Sequence, residues 1–201
     1  PRIAKAIDDD VLAGLRAAAK HLPCRLLYDA RGAELFEQIC TTRDYYLTRS
    51  ELALLERHLA GLAAEIGPRA RVIEPGSGAG VKTRMLLAAL DAPASYVPID
   101  VSHEQLEDTA RALRDQFAGL DVQPVNADYT RPFALPRART AYDRVLVFFP
   151  GSTIGNFEPE EARRFLARFG ELAGAHALLL LGADSNTDPA SLVRAYDDRE
   201  G

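Results

Sequence analysis

The chain has 201 residues, 47% of them hydrophobic and 26% charged, with a formal net charge of −5 and a pI near 5.4. That length suits one sizeable domain, and the acidic balance argues against nucleic acid, whose phosphates are met mainly by Lys and Arg. No apolar run approaches the roughly 18–20 residues of a spanning helix, so the expected partner is a small molecule and not a membrane.

In chain order, "DDDVLAGLRAAAK" (residues 8–20) opens on acids and closes on Lys, which suits a helix dipole at both ends and predicts a first helix. Leu35, Phe36 and Ile39 then recur at helical spacing, and the polar-aromatic "TTRDYYLTRS" after them predicts a loop. Thr48 with Glu51 has the spacing of a capping box. Leu52, Leu55, Leu59 and Leu62 share one face of the helix behind it, which Gly67-Pro68 ends. From residue 70 onward short apolar runs at Val72-Ile73, Tyr96–Ile99, Val122–Val125, Val145–Phe149 and Ala177–Leu181 alternate with predicted helices near 81–90, 103–117 and 159–172. Ser102 with Gln105 is expected to cap the second of these helices, and Pro159 to open the third. Such alternation predicts an α/β fold with a mainly parallel sheet and right-handed crossovers. Residues 129–142, with two prolines and three arginines, predict an irregular connection. The expected division is an N-terminal helical region with a substrate loop over 1–66 and a ligand-binding core over 67–201.

Cys24 and Cys40 lack a C-x-x-C spacing and read as buried free thiols of a cytoplasmic protein. His21, His58, His103 and His176 are scattered without an H-x-x-x-H pattern, so no metal is expected. The chain starts at Pro1 without a methionine and stops soon after a predicted helix, and so reads as a piece of a longer protein; no feature of the sequence specifies an oligomer, and a monomer is the expectation.

The stretch "VIEPGSGAGVKTR" places Gly76, Ser77 and Gly78 where the first strand gives way to a helix, a turn that lets backbone approach a ligand. Val81 breaks the spacing of a nucleotide triphosphate loop and also that of a dinucleotide fingerprint. NAD binding stays open but disfavoured, and as a third class "EPGSG" resembles the first motif of Rossmann-like S-adenosylmethionine-dependent methyltransferases. Asp100 ends the second strand, where a carboxylate can accept both hydroxyl hydrogens of a ribose, or else serve the helix that follows. Asp128, after the third strand, is placed to accept from an adenine amino group or to stabilise a turn, with Tyr129 beside it for stacking. In "VFFPGSTIGNFEPEE" a buried strand opens into uncharged hydrogen-bonding groups; Asn156 there either meets a planar ligand such as a neutral imidazole or caps the next helix.

Together "YDARGAELFEQI", "YYLTRSE", "GSGAGVKTR", "YVPIDVS", "ADYT", "GSTIGNF" and "DPASLVRAYDD" occur in the order of the histidine-specific Nα-methyltransferases of ergothioneine biosynthesis, which form hercynine, and the chain resembles that family from about Leu22 to Gly201. The resemblance implies a Rossmann-like methyltransferase sheet with an N-terminal helical extension. It also implies S-adenosyl-L-methionine as cofactor and the α-amino group of L-histidine as acceptor. It places Gly76, Lys82, Asp100, Asp128 and Tyr129 at cofactor-binding positions and Tyr45, Asn156 and Tyr196 at positions that hold histidine, with Gly151 and Tyr28 lining the reaction centre and Tyr28 positioning the amine. Three departures stand out: Pro75 precedes the glycines in place of an aliphatic residue, "GADSNTDP" lacks the expected lysine, and the chain stops before the family's second substrate lobe. The alternative is a methyltransferase of the same fold acting on another amino acid or small amine, since fungal relatives in this superfamily methylate a prenylated tryptophan.

Overall fold

A computed structural model of the chain describes residue 9 and residues 11–22, 24–27, 30–78 and 80–197. Packing separates residues 1–37 from residues 38–201 as two compact units. In the first, residues 11–16 are helical, Cys24–Leu27 form a 3₁₀ turn, and helix α1 (Ala30–Ile39) begins.

Helix α2 (Leu47–Ile66) lies within the second unit. Its Leu55, Leu59 and Ile66 are buried in one cluster with Val72, Tyr96, Leu146 and Phe148 of the sheet, so Leu55 and Leu59 of the apolar stripe read from the sequence face the core, while Leu52 and Leu62 are half-buried. The start of α2 corrects two expectations. Residues 47–50 are helical rather than loop, and the Thr48–Glu51 capping box does not form: Tyr46 is the N-cap, and the Thr48 hydroxyl donates to Cys40 Sγ at 3.2 Å.

The sheet comprises β1 (Ala70–Pro75), β2 (Ser95–Asp100), β3 (Asp121–Val122), β4 (Val125–Asn126), β5 (Arg144–Phe149) and β6 (Leu178–Leu181). Every pairing is parallel, in the order β3-β2-β1-β5-β6, with β4 also lying along β2. The run expected as one strand over 122–125 is interrupted between β3 and β4, where Pro124 has no N–H to give to a ladder.

Alternate strand residues face opposite ways. Val72, Tyr96, Leu146 and Phe148 meet α2, α3 (Val81–Ala89) and α4 (His103–Gln116), whereas Ile73, Val97, Val147 and Phe149 meet Phe165 and Phe169 of α5 (Pro159–Ala173) and the irregular segment around Phe133 and Leu135. Ser102 is the N-cap of α4, but its hydroxyl makes no cap bond; its backbone N–H donates to Asp100 Oδ1 instead. α5 carries Pro159 in its first turn, and the Glu161 carboxylate accepts from the Glu158 N–H at 3.1 Å. α6 (Pro189–Tyr196) follows β6, with Asp188 capping it through Ser191 N–H. Among the described residues no helix is long and apolar enough to cross a membrane.

Candidate active site

The chain runs up β1, then β2 and β3 on one side, and returns to the other side of β1 with β5, so the carboxyl ends of β1 and β5 flank a topological switch point. Such a crevice is where open α/β sheets take ligands. Gly76 turns the chain there with φ +70°, and its N–H donates to Ile99 O at 2.7 Å. A Cβ on Gly76 would lie 3.4 Å from Tyr129 Cε1, so the tyrosine ring stands one methyl width from the bare backbone of the turn. Tyr129 is held edge-on by Phe149 and Phe165, with ring centroids 6.2 and 6.0 Å away, and Arg168 donates to its carbonyl at 3.1 Å.

Beneath the turn, Glu74 is 2% exposed and accepts from Thr83 Oγ1 at 2.7 Å and from the Tyr96 hydroxyl at 2.6 Å. Burial pushes its carboxyl up to about 7 against those two hydrogen bonds. The same burial, with Glu74 beside it, pushes the Tyr96 phenol well above its ordinary range.

Asp100 ends β2 at the same edge of the sheet; one carboxylate oxygen accepts from Ser102 N–H at 3.0 Å. Asp128 sits in the turn after β4, where Oδ1 accepts from the Thr130 N–H and hydroxyl at 2.9 and 2.5 Å and Oδ2 lies 3.3 Å from Arg131 Nε. The turn role weighed for Asp128 is therefore present in the structure, and any adenine contact would add to it.

On the β5 side the structure brings Lys82 and Gly151, both named from the sequence, together with Glu51, which sequence reasoning missed as a site residue. Glu51 of α2 forms an ion pair with Lys82 of α3, both side chains 17% exposed, and its two oxygens accept from Gly151 N–H at 2.8 and 2.9 Å. Gly151 has φ +85°, and a Cβ on Gly182, just past β6, would fall 1.8 Å from Glu51 Oε1. Glu51 was read only as half of a capping box. The glycines opposite it were the one available signal.

Tyr45 and Tyr196 are brought together, ring edge to ring face at 5.7 Å, with Tyr45 buried against Leu47 and Ala195 and Tyr196 68% exposed. Beside them Tyr46 donates to Asp184, and Asn186 Nδ2 donates to the Tyr46 hydroxyl at 2.8 Å and to Ser191 Oγ at 3.1 Å. Asp184 N–H donates to Ser152 Oγ at 3.0 Å, which links this network to the loop after β5. Asn156 closes a short 3₁₀ turn (Thr153–Asn156); it is exposed, and its side chain makes no hydrogen bond to the described residues. The N-cap of α5 is Glu158, so Asn156 is not the helix cap weighed from the sequence. Tyr28 lies outside the described residues.

A parallel sheet in this order, with a glycine turn after β1 and a carboxylate after β2, is the fold of Rossmann-like methyltransferases. The structure of the mitomycin 7-O-methyltransferase MmcR shares it with a TM-score of 0.55 at 15% identity, over 95% of this chain and 53% of that one. The chain belongs to the family described as histidine-specific, SAM-dependent methyltransferases, which it matches over residues 7–201. It is 39% identical over 202 residues to the histidine N-alpha-methyltransferase of Mycolicibacterium smegmatis, covering 98% of this chain and 61% of that protein. It is 33% identical over 205 residues to the 4-dimethylallyltryptophan N-methyltransferase easF of Epichloe festucae var. lolii, covering 95% of this chain and 59% of that protein. The chain thus spans about three fifths of the length of these relatives.

Proposed function

We propose that this chain carries the S-adenosylmethionine site, and part of the acceptor site, of an N-methyltransferase acting on the α-amino group of L-histidine. The observation that carries the reading is the convergence of the Gly76 turn, the Tyr129 wall and the Asp100 carboxylate at the carboxyl ends of β1 and β2, within a family defined by that cofactor. The chemistry of these groups fits a nucleoside: backbone bare of a Cβ allows close approach, the aromatic ring beside it offers a stacking surface, and a carboxylate at the end of β2 offers an acceptor. Gly76, Lys82, Asp100, Asp128 and Tyr129 would hold S-adenosylmethionine, which supplies an electrophilic methyl on a sulfonium.

The chain's own residues then have two tasks. An amine must be neutral to attack, and each pH unit below its pKa costs about 1.4 kcal/mol, so groups that accept from the neutral amine or desolvate its cation lower the barrier. Tyr28 and Gly151 are the candidates for positioning that nitrogen. Tyr45, Asn156 and Tyr196 would orient the acceptor, and well-oriented geometry supplies as much as roughly 7–11 kcal/mol. Histidine is favoured because the more similar relative, at 39% identity, bears that specificity in its name; the fungal relative at 33% supports a prenylated tryptophan as the second reading.

The test is a mass-shift assay with S-adenosylmethionine and a panel of histidine, tryptophan and 4-dimethylallyltryptophan. A 14-Da increment on histidine alone supports the first reading and an increment on the prenylated substrate the second. Absence of adenosylhomocysteine binding would overturn both.

A further inference from the structure

Resting on the methyltransferase reading above, we propose that Asp184 is a positioning residue of the acceptor site: it fixes the three segments that carry Tyr45, Asn156 and Tyr196 against one another, without meeting the acceptor itself. Those residues come from parts of the chain far apart in sequence, just before α2, after β5 and at the end of α6. Connecting segments are the more mobile parts of a fold, whereas a displacement of about 1 Å in a positioning group can cost on the order of 10²-fold in rate.

Asp184 lies on the connection from β6 to α6 and reaches all three segments. Its backbone N–H donates at 3.0 Å to Oγ of Ser152, the N-cap of the 3₁₀ turn that Asn156 closes. One carboxylate oxygen accepts from the hydroxyl of Tyr46, the neighbour of Tyr45. The other accepts from the Asn186 N–H at 3.0 Å. The Asn186 amide in turn donates to the Tyr46 hydroxyl at 2.8 Å and, at 3.1 Å, to Oγ of Ser191 in the first turn of α6. α6 carries Tyr196 at its other end, where the ring meets Tyr45 at 5.7 Å and closes the circuit.

Two observations set this network apart from a loop that only ties itself down. Ser152 has left-handed backbone, φ +57° and ψ +20°, although it is not glycine. The other non-glycine residues described with positive φ, Arg69 and Ala92, stand before strands, so among the described residues Ser152 alone carries such strain at the carboxyl edge of the sheet. Strain of this sort persists where the surroundings over-determine it, and it gathers at functional sites. In addition, Asp184 is exposed, and hydrogen bonds made in exchange for water add only modest stability. A network at the rim that spans three segments sets geometry more than it holds the fold. Burial, and then the Asp184 hydrogen bond, raise the Tyr46 phenol above its ordinary range, so the hydroxyl keeps the proton that it gives to the carboxylate.

The experiment compares the unaltered chain with Asp184→Ala and Asp184→Asn by hydrogen exchange, by adenosylhomocysteine calorimetry and by turnover of histidine and 4-dimethylallyltryptophan. In Asp184→Ala, amide exchange should quicken about 10-fold or more at the start of α2, in the 3₁₀ turn and along α6 together, with β1 and β2 unchanged. Adenosylhomocysteine affinity should stay within about twofold, while kcat for the acceptor that the unaltered chain methylates should fall about 10- to 100-fold. Asp184→Asn should recover most of both losses, since an amide can accept from the Asn186 N–H and donate to the Tyr46 oxygen. Quickened exchange confined to the connection between β6 and α6 would overturn the proposal, whatever the turnover of the unaltered chain. So would an Asp184→Asn variant as slow in turnover as Asp184→Ala, the mark of a charge that meets the acceptor directly. If the unaltered chain fails to bind adenosylhomocysteine, it is the methyltransferase reading that falls, a result separate from the exchange pattern.

Discussion

Glu74 is the side chain whose charge the fold controls most directly. Its carboxyl is raised from an ordinary 4.5 to about 7, so between those values the folded chain holds a proton that the unfolded chain has released. Stability from this group is therefore complete below about pH 4.5, falls as pH rises through that window, and is gone above about pH 7. Glu74→Gln should abolish the slope, which amounts to on the order of 2–3 kcal/mol, so denaturant melts at pH 5 and pH 8 should differ in the unaltered protein and coincide in the variant. At Asp100 two roles meet in one carboxylate. Asp100→Ala should cost about 2–4 kcal/mol of adenosylhomocysteine affinity if it holds the ribose, but only about 0.5–2 kcal/mol of stability from the lost Ser102 contact. Calorimetry showing unchanged affinity in a folded variant would leave Asp100 as a helix-start residue alone. Gly76, Asp100, Asp128 and Tyr129 were legible as candidates because each directly follows a strand or a turn signal, where the sheet's periodicity predicts the ligand edge. Glu51 was not: Lys82 is 31 residues away and Gly151 is 100, and no local spacing rule reaches that far.

Elements were read better than their ends. The sheet's short apolar runs and the helices between them follow from period and composition, whereas the junctions depend on contacts made elsewhere. At α2 a valid capping-box spacing was overruled because the Glu51 carboxylate finds a cation and an amide across the crevice, a stronger set of partners than its own helix N-terminus. This junction between α2, β5 and β6 can be probed from its glycine side. Gly182→Ala should push Glu51 from its seat and destabilise the fold by about 1–3 kcal/mol, the usual cost of overpacking. In a Glu51→Ala background the same substitution should cost much less, because the atom it strikes is gone. A double-mutant cycle with no coupling between the two sites would show that Gly182 is needed for its backbone alone.

At the scale of the molecule, the five proposed cofactor positions fall between Gly76 and Tyr129, whereas the proposed acceptor residues Tyr45, Asn156 and Tyr196 offer only uncharged groups. If two charge-assisted hydrogen bonds to the acceptor's ammonium and carboxylate come from outside residues 1–201, this chain binds histidine about 10²–10⁴-fold more weakly than a protein that has them. The expected outcome is ready binding of adenosylhomocysteine with a histidine kcat/KM far below that of the Mycolicibacterium smegmatis relative in the same assay. Equal values would mean that the acceptor pocket closes within these residues. The all-parallel strand order has a further consequence, for the order of folding. No neighbouring strands can be joined by a tight hairpin, so every pairing must close a crossover. β1 reaches β2 across residues 76–94 but reaches β5 only across residues 76–143, and closure entropy grows with that separation. A chain emerging N-terminus first builds the β1–β2 side of the crevice, the side proposed for the nucleoside, with Glu74 and Tyr96 already joined, before the wall that carries Gly151 exists. Competence to bind thus arrives with the late closure of β5 on β1, and a ligand that spans the two strands adds its binding free energy to that pairing.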